Sequence, residues 1–312
     1  MNIGILTFHR PCNFGANLQA YSSSHYFMSL GHTVSVINYV RNTDLEYGEK
    51  VVSVQFKAHQ RFVDGRLLLT VEVRTPEELK KMVQEKGIEL IVIGADAVWR
   101  APNDEDDIFF AKWLFESVKL SNVSVISMAA AHMGVGFKHL SQAHRDSLKN
   151  CLLHFKYITV RDKWTAHVIN RDIFCGEEEV CRIIPDPVFM LDSLVVDEWQ
   201  SLGQEGKGYI VMTLPLFWGK SRLIGAIQRF WFKRFKHIVH SHGLKLIELP
   251  LPEGTSGAPF DFTIPYPIDP LQWYLWIKNS CGFVGLRFHA IVSSISAGTP
   301  FYSLDTFGAT GS

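Results

Sequence analysis

Gly285-Leu286-Arg287-Phe288-His289-Ala290 leaves a short apolar run and enters a helix of small residues, which sets a cation and a titratable imidazole beside a helix amino terminus. With Phe288 still extended, Arg287 and His289 point to one side, because side chains two apart on an extended backbone share a face. The first turn of a helix starting near His289 adds unpaired N–H groups and the positive end of its dipole. A fixed cation, a group that titrates near neutrality and backbone donors suit an anionic substrate that must exchange a proton. The same residues also fit a plainer reading, in which Arg287 makes a structural ion pair and His289 caps the helix.

The flanking sequence tells where this segment sits. Residues 270–279 read as a helix and 281–284 as a buried strand; beyond the motif, 291–297 run to a Gly298 stop and 300–304 read as the next strand. Arg287 and His289 are therefore expected at the carboxyl end of a strand in a βαβ unit, where ligands of open parallel sheets bind.

The same alternation runs through the chain. Strand 3–8, a loop through Gly15, helix 16–30 and strand 33–40 open it, and that first loop holds a single glycine. Neither the Gly-x-Gly-x-x-Gly fingerprint nor a Walker A lysine is present, which argues against NAD or ATP at this turn. Residues 41–66 are polar and weakly periodic and read as a loop or an excursion from the sheet. Thr75-Pro76-Glu77-Glu78 carries an N-cap, a proline at the first helical position and a capping-box glutamate, and Gly87 stops that helix. Strands 90–93, 123–127, 157–160 and 182–184 follow, with helices near 141–153 and from Asp162.

The pattern breaks at Pro185-Asp186-Pro187, which places a domain boundary between 1–185 and 186–312. It restarts with strand 208–213, a long basic and aromatic helix at about 221–240 and strand 245–249; residues 252–269 read as a surface loop. The expected architecture is α/β, with two Rossmann-like β/α/β halves. At 312 residues the chain has the length of about two domains.

Composition narrows the function classes. Hydrophobic residues make up 47%, and 31 basic side chains balance 31 acidic ones, so no overall charge points to nucleic acid. Five cysteines, at 12, 151, 175, 181 and 281, form no Cys-x-x-Cys pair, and their odd number fits reduced thiols of a cytoplasmic protein. No stretch approaches the roughly 20 apolar residues of a membrane span.

Other chemistry-bearing residues admit two readings each. His9, Asn13, Asn17 and Gln19 surround the first strand-to-helix turn, where amides suit sugar hydroxyls; Asn13 and Asn17 equally suit turn and N-cap bonds. Asp96, in the turn after strand 90–93, has the same two options, and His132 follows a strand end. The run Asp104-Glu105-Asp106-Asp107 lacks the calcium-loop pattern and reads as solvated, and His237, His240 and His242 lack a partner set with metal spacing. No metal or cofactor is expected. In residues 218–240, Lys220, Arg222, Arg229, Lys233, Arg234 and Lys236 interleave with Phe230, Trp231, Phe232 and Phe235. That mixture suits either an anionic bilayer surface at the inner face of the membrane or a sheet-packing helix with Ile227, Trp231, Phe235 and Ile238 buried.

Taken in order, several of these landmarks resemble the polysaccharide pyruvyl transferase family. Residues 3–8 with Asn13-Phe14-Gly15-Ala16-Asn17-Leu18-Gln19-Ala20 are similar to its opening strand and Asn-x-Gly-x-x-Leu-Gln-Ala loop. Gly94-Ala95-Asp96-Ala97-Val98-Trp99 is similar to its Gly-Ser-Asp-Gln-Val-Trp segment, Val160-Arg161-Asp162 to its Val-Arg-Glu, Asp186-Pro187 to its Asp-Pro, and Gly285-Leu286-Arg287-Phe288-His289 to its Gly-x-Arg-x-His. The resemblance implies a glycosyltransferase-B-like fold with a cleft between the halves. It implies transfer of pyruvate from phosphoenolpyruvate, as co-substrate, to a sugar or lipid-linked oligosaccharide. It further implies Arg161, Arg287 and His289 as the phosphoenolpyruvate-binding and catalytic positions, and the acceptor on the side of His9, Asn13, Gly15, Asn17, Gln19 and Asp96.

The chain departs from the family at Ala95, Ala97 and Arg100, and at Thr213-Leu214-Pro215, where some members carry an arginine that Lys220 or Arg222 would replace. Relatives usually run further past residue 304, so a shortened second half is expected. Two other functions share the pattern: a nucleotide-sugar glycosyltransferase, with Asp305 as its ribose-binding acid, and a non-catalytic sugar-binding relative.

Overall fold

The computed structural model describes residues 1–41, 52–100, 107–133, 136–176, 179–194, 208–215 and 222–304. In the first half, strand β1 (Asn2–Leu6) leads into helix α1 (Phe14–Ser29) and strand β2 (Thr33–Val36). Helices α2 (Ser53–Arg66) and α3 (Pro76–Lys86) precede strand β3 (Leu90–Ile93). Strand β4 (Ser124–Ser127), helix α4 (Gln142–Leu152), the two-residue strand β5 (Thr159–Val160), helix α5 (Lys163–Val168) and strand β6 (Arg182–Ile183) complete it. The sheet is parallel, in the order β2-β1-β3-β4, and bridges from Ile126 to Tyr157 and Ala130 to Val160 carry it on to the β5-β6 pair.

The second half contains strand β7 (Tyr209–Met212), helix α6 (Arg222–Ser241), strand β8 (Lys245–Glu248) and strand β9 (Phe262–Thr263). Helix α7 (Pro270–Lys278), strand β10 (Gly282–Gly285), helix α8 (Phe288–Ser296) and strand β11 (Phe301–Ser303) follow. Its parallel sheet has the order β11-β10-β7-β8-β9. β9 lies in the stretch that reads as a surface loop, and its two residues pair with β8 at Ile247 and Glu248.

Caps set several helix ends where the sequence puts them. Thr75 Oγ1 accepts from the Glu78 N–H and Glu78 Oε2 from the Thr75 N–H, both at 3.2 Å, and Gly87 closes α3 in the left-handed region at φ 60°. Helix α2 occupies part of the segment that reads as a loop. Its inner face is Gln55, His59, Phe62 and Val63, a helical spacing in which two of the four buried positions are polar.

Residues 14–24 of α1 are all buried, as for a helix covered on every side. They lie between the first sheet and the helices of the second half. Phe14 stacks on Trp273 with ring centroids 5.0 Å apart, and Gln55 pairs with the Ile268 backbone, its Nε2 donating to the carbonyl at 2.7 Å and its Oε1 accepting the N–H at 2.9 Å. One hydrophobic cluster therefore runs from Ile3, Ile5 and Leu18 into Val211, Leu271, Phe283 and Ala290.

α6 packs on the second sheet, as the sheet-packing alternative has it, but only Phe235 of the expected stripe does so. Phe232 and Val239 turn inward beside it, while Ile227 is 69% and Ile238 52% exposed, and Trp231 is also exposed. The inward stripe is offset from the expected one because Phe232 fills the space over Met212 and Leu246.

Candidate active site

Each sheet reverses its strand order at one place, between β1 and β3 in the first half and between β7 and β10 in the second. The carboxyl ends of strands beside such a reversal form the binding crevice of an open sheet. Here the two crevices meet. The chain leaving β1 turns into α1 at Gly15, the chain leaving β10 turns into α8 at His289, and these residues are in contact. A Cβ built on Gly15 would stand 2.0 Å from His289 Nδ1 and 2.1 Å from its Cγ, so the imidazole occupies the space that any other residue at 15 would need.

On its other side the imidazole faces Asp186, with Nε2 3.6 Å from Oδ2. Arg161, just past β5, donates from Nη1 to the same oxygen at 3.0 Å, and the Val188 N–H donates to Oδ1 at 3.0 Å. Asp186 is 1% exposed. Burial pulls its pKa upward, but the facing His289 ring, the Arg161 charge and the Val188 N–H outweigh that and hold it at about 2, so the carboxylate is ionised at neutral pH. The Arg161 guanidinium also lies over the Phe288 ring, 4.4 Å from its centroid. His289 Nε2 is buried and has no hydrogen-bond partner among the described residues.

Arg287 goes elsewhere. Phe288 is the first residue of α8 rather than an extended one, so Arg287 and His289 diverge, since residues two apart on a helix do not share a face. Arg287 reaches Glu253 at 3.5 Å with its side chain 52% exposed. As N-cap of α8 it makes no side-chain cap bond, so the first-turn N–H groups there are not covered by a cap.

Several residues considered for acceptor contact are occupied inside the protein. Asn13 caps α1, its Oδ1 accepting from Gly15 and Ala16 N–H at 2.9 and 3.3 Å. Asn17 Nδ2 donates to the His9 carbonyl at 2.8 Å. Gln19 ties the end of β1 to the turn after β3, donating to Thr7 Oγ1 at 2.8 Å and accepting from the Ala95 N–H at 3.2 Å. His9 sits between the Thr7 carbonyl and Asn38. Asn17, Gln19 and His9 are buried and shape the β1–α1 corner; Asn17 Oδ1 is buried with no hydrogen-bond partner among the described residues. Asp96 is partly exposed in a left-handed turn at φ 69° and accepts from the Ala97 N–H at 2.8 Å.

His132 is buried against the Trp99 carbonyl and the Gly136 N–H, and His240 pairs with Asp261. Lys220, Asp305 and residues 104–106 lie outside the described residues, as does the Arg222 side chain. Among the described residues no group of His, Cys, Asp and Glu is arranged to hold a metal ion. A groove of about 1230 Å³ beside Tyr209, Lys245 and Trp276 lies at the amino ends of β7 and β8, the opposite end of the sheet from His289.

The residue that sequence reasoning used only as a landmark is Asp186. Its signal is a carboxylate locked between two prolines immediately after a strand, a rigid placement that suits a residue gripping two others.

The model of the family described as polysaccharide pyruvyl transferase matches residues 13–306. Among curated proteins none matches the chain. Solved structures give the fold. UDP-GlcNAc 2-epimerase from Methanocaldococcus jannaschii aligns over 99% of this chain and 85% of its own, with TM-score 0.58 and 9% identity. The Neisseria meningitidis UDP-GlcNAc 2-epimerase bound to UDP-GlcNAc aligns over 98% and 83%, with TM-score 0.52 and 9% identity. An alpha-glucosyltransferase in complex with UDP aligns over 97% and 80%, with TM-score 0.53 and 10% identity. The architecture is that of glycosyltransferase-B enzymes, two Rossmann-like units.

Proposed function

Because the chain belongs to the polysaccharide pyruvyl transferase family, we propose that it moves pyruvate from phosphoenolpyruvate onto a sugar of a surface polysaccharide or its lipid-linked precursor, as a ketal. The observation that carries this reading is the Arg161–Asp186–His289 set, assembled where the binding crevices of both halves touch. Phosphoenolpyruvate brings a carboxylate and a phosphate. Arg161 offers the rest of its fork to one of them, and the uncapped N–H groups of α8 offer donors to another. Arg287 is held by one long, exposed ion pair, of a kind worth little, so a phosphate can take it from Glu253.

His289 then carries the proton. It protonates the enol methylene, which leaves an electrophilic carbon that a sugar hydroxyl attacks, and it takes up the proton that this hydroxyl releases. Phosphate departs with the bridging oxygen and takes up the proton of a second hydroxyl, which closes the ketal. Asp186 holds the ring in place and sets a negative charge beside it while it is an imidazolium, as the buried carboxylate does in a hydrolase triad. No cofactor enters this scheme, and a cytoplasmic setting follows from the substrate.

The fold neighbours in complex with UDP or UDP-GlcNAc support a second reading, transfer from a nucleotide sugar. Incubation with phosphoenolpyruvate and a panel of acceptor sugars, followed by phosphate release, separates the two. Acceptor-dependent phosphate release is expected. It should fall about 10² to 10⁴-fold in a folded His289→Ala variant, the usual contribution of a general acid or base.

A further inference from the structure

Helix α6 covers the second sheet with one face and leaves the other bare. Phe232 and Val239 enter the core beneath it. On the outside, Ile227 is 69%, Phe230 67% and Ile238 52% exposed, with Trp231 beside them. At 3.6 residues per turn these four fall within an arc of about 100°, with Arg234 among them. Arg229, Lys233 and His237 are exposed along one flank of that arc, where His240 also lies, and His240 and Lys236 pair with Asp261 at 2.8 Å. From Arg222 to Ser241 there is no Asp or Glu, in a chain whose acidic and basic residues are equal in number. Exposed apolar stripes with a basic border are uncommon on free protein surfaces.

We infer that this face docks on an anionic lipid surface. An apolar stripe with cations along its side is what a helix lying in the headgroup layer requires: the stripe enters the acyl boundary and the cations meet lipid phosphates. A second copy of the chain is a poor occupant, because a two-fold interface would set one cationic face against another. A nucleic acid would meet the cations but bury Phe230 and Ile238 against phosphate. α6 starts after the carboxyl end of β7, the end of the sheet that carries His289. No described helix is long and apolar enough to cross a membrane.

The test is flotation of the full chain with vesicles of phosphatidylglycerol and phosphatidylcholine, against phosphatidylcholine alone, at low and high salt. Binding is expected on the anionic vesicles, weaker at high salt, and little on the neutral ones. Phe230→Glu with Ile238→Glu should abolish it while melting temperature and phosphoenolpyruvate binding stay unchanged, since both side chains are exposed and remote from His289. Lys233→Ala and Arg234→Ala should each weaken it about fivefold. Absence of binding to anionic vesicles at low salt overturns the inference, as does binding indifferent to the Phe230→Glu, Ile238→Glu pair. A concentration-dependent dimer dispersed by that pair assigns the face to a second copy instead, and retention of an oligonucleotide without vesicle binding assigns it to nucleic acid.

Discussion

Asp186 and Gly15 hold the site together from opposite sides of one imidazole, and each gives a sharp expectation. Asp186→Asn removes the charge that balances Arg161 in a buried setting, and breaking such a pair typically costs about 3–5 kcal/mol. The folded carboxylate titrates at about 2 against about 3.9 when unfolded, so its stabilisation is complete above pH ~4 and is lost as pH falls toward 2. Melting temperature across that window should drop more steeply in the wild type than in Asp186→Asn. Gly15→Ala tests the other side. In a helix interior this change normally adds about 0.5–1 kcal/mol, but here the new methyl would meet the His289 ring, so activity should fall steeply with no gain in melting temperature. The sequence makes His289 and Arg161 readable through their motifs. Gly15 is equally visible, yet its reason is a contact with a residue 274 positions away, which no local pattern carries.

Among the elements, those whose ends are marked were readable. α3 has its capping box and stop glycine, α7 has Pro270 after the Asp269 cap, and the strands of both sheets are short apolar runs. α2 was hidden because Gln55 and His59 occupy its inner face, where a periodic pattern needs apolar residues. Those two residues repay inspection. Gln55→Ala strips partners from the buried Ile268 N–H and C=O together, and unfolding by urea should show a loss of about 1–3 kcal/mol or more. Burial pushes the His59 pKa down to about 4, against a smaller opposing contribution from the Gln55 carbonyl. The unfolded chain therefore binds the proton first: stability is full above pH ~6.5 and declines as pH falls toward 4. A His59→Leu variant should lose that slope. β9 was missed for another reason: two residues in a Pro- and Gly-rich stretch leave no alternation to read.

At the scale of the molecule, the alternation of strands and helices made two Rossmann-like halves legible. What could not be read is that the halves share a core around α1, because Trp273, on which Phe14 stacks, lies more than two hundred positions away. A shared core means shared unfolding, and calorimetry should show one transition rather than two. The same junction is where both binding crevices open, so ligand and domain packing are linked at Gly15 and His289. The most direct test of the proposed function is a calorimetric titration with phosphoenolpyruvate, which needs no knowledge of the acceptor, with UDP-GlcNAc as comparator and Arg161→Lys as the control for location. Saturable binding of phosphoenolpyruvate, weakened when the lysine loses the planar fork, with no binding of UDP-GlcNAc, is the expected result. Saturable binding of UDP-GlcNAc with none of phosphoenolpyruvate would contradict it and assign this site to a nucleotide sugar.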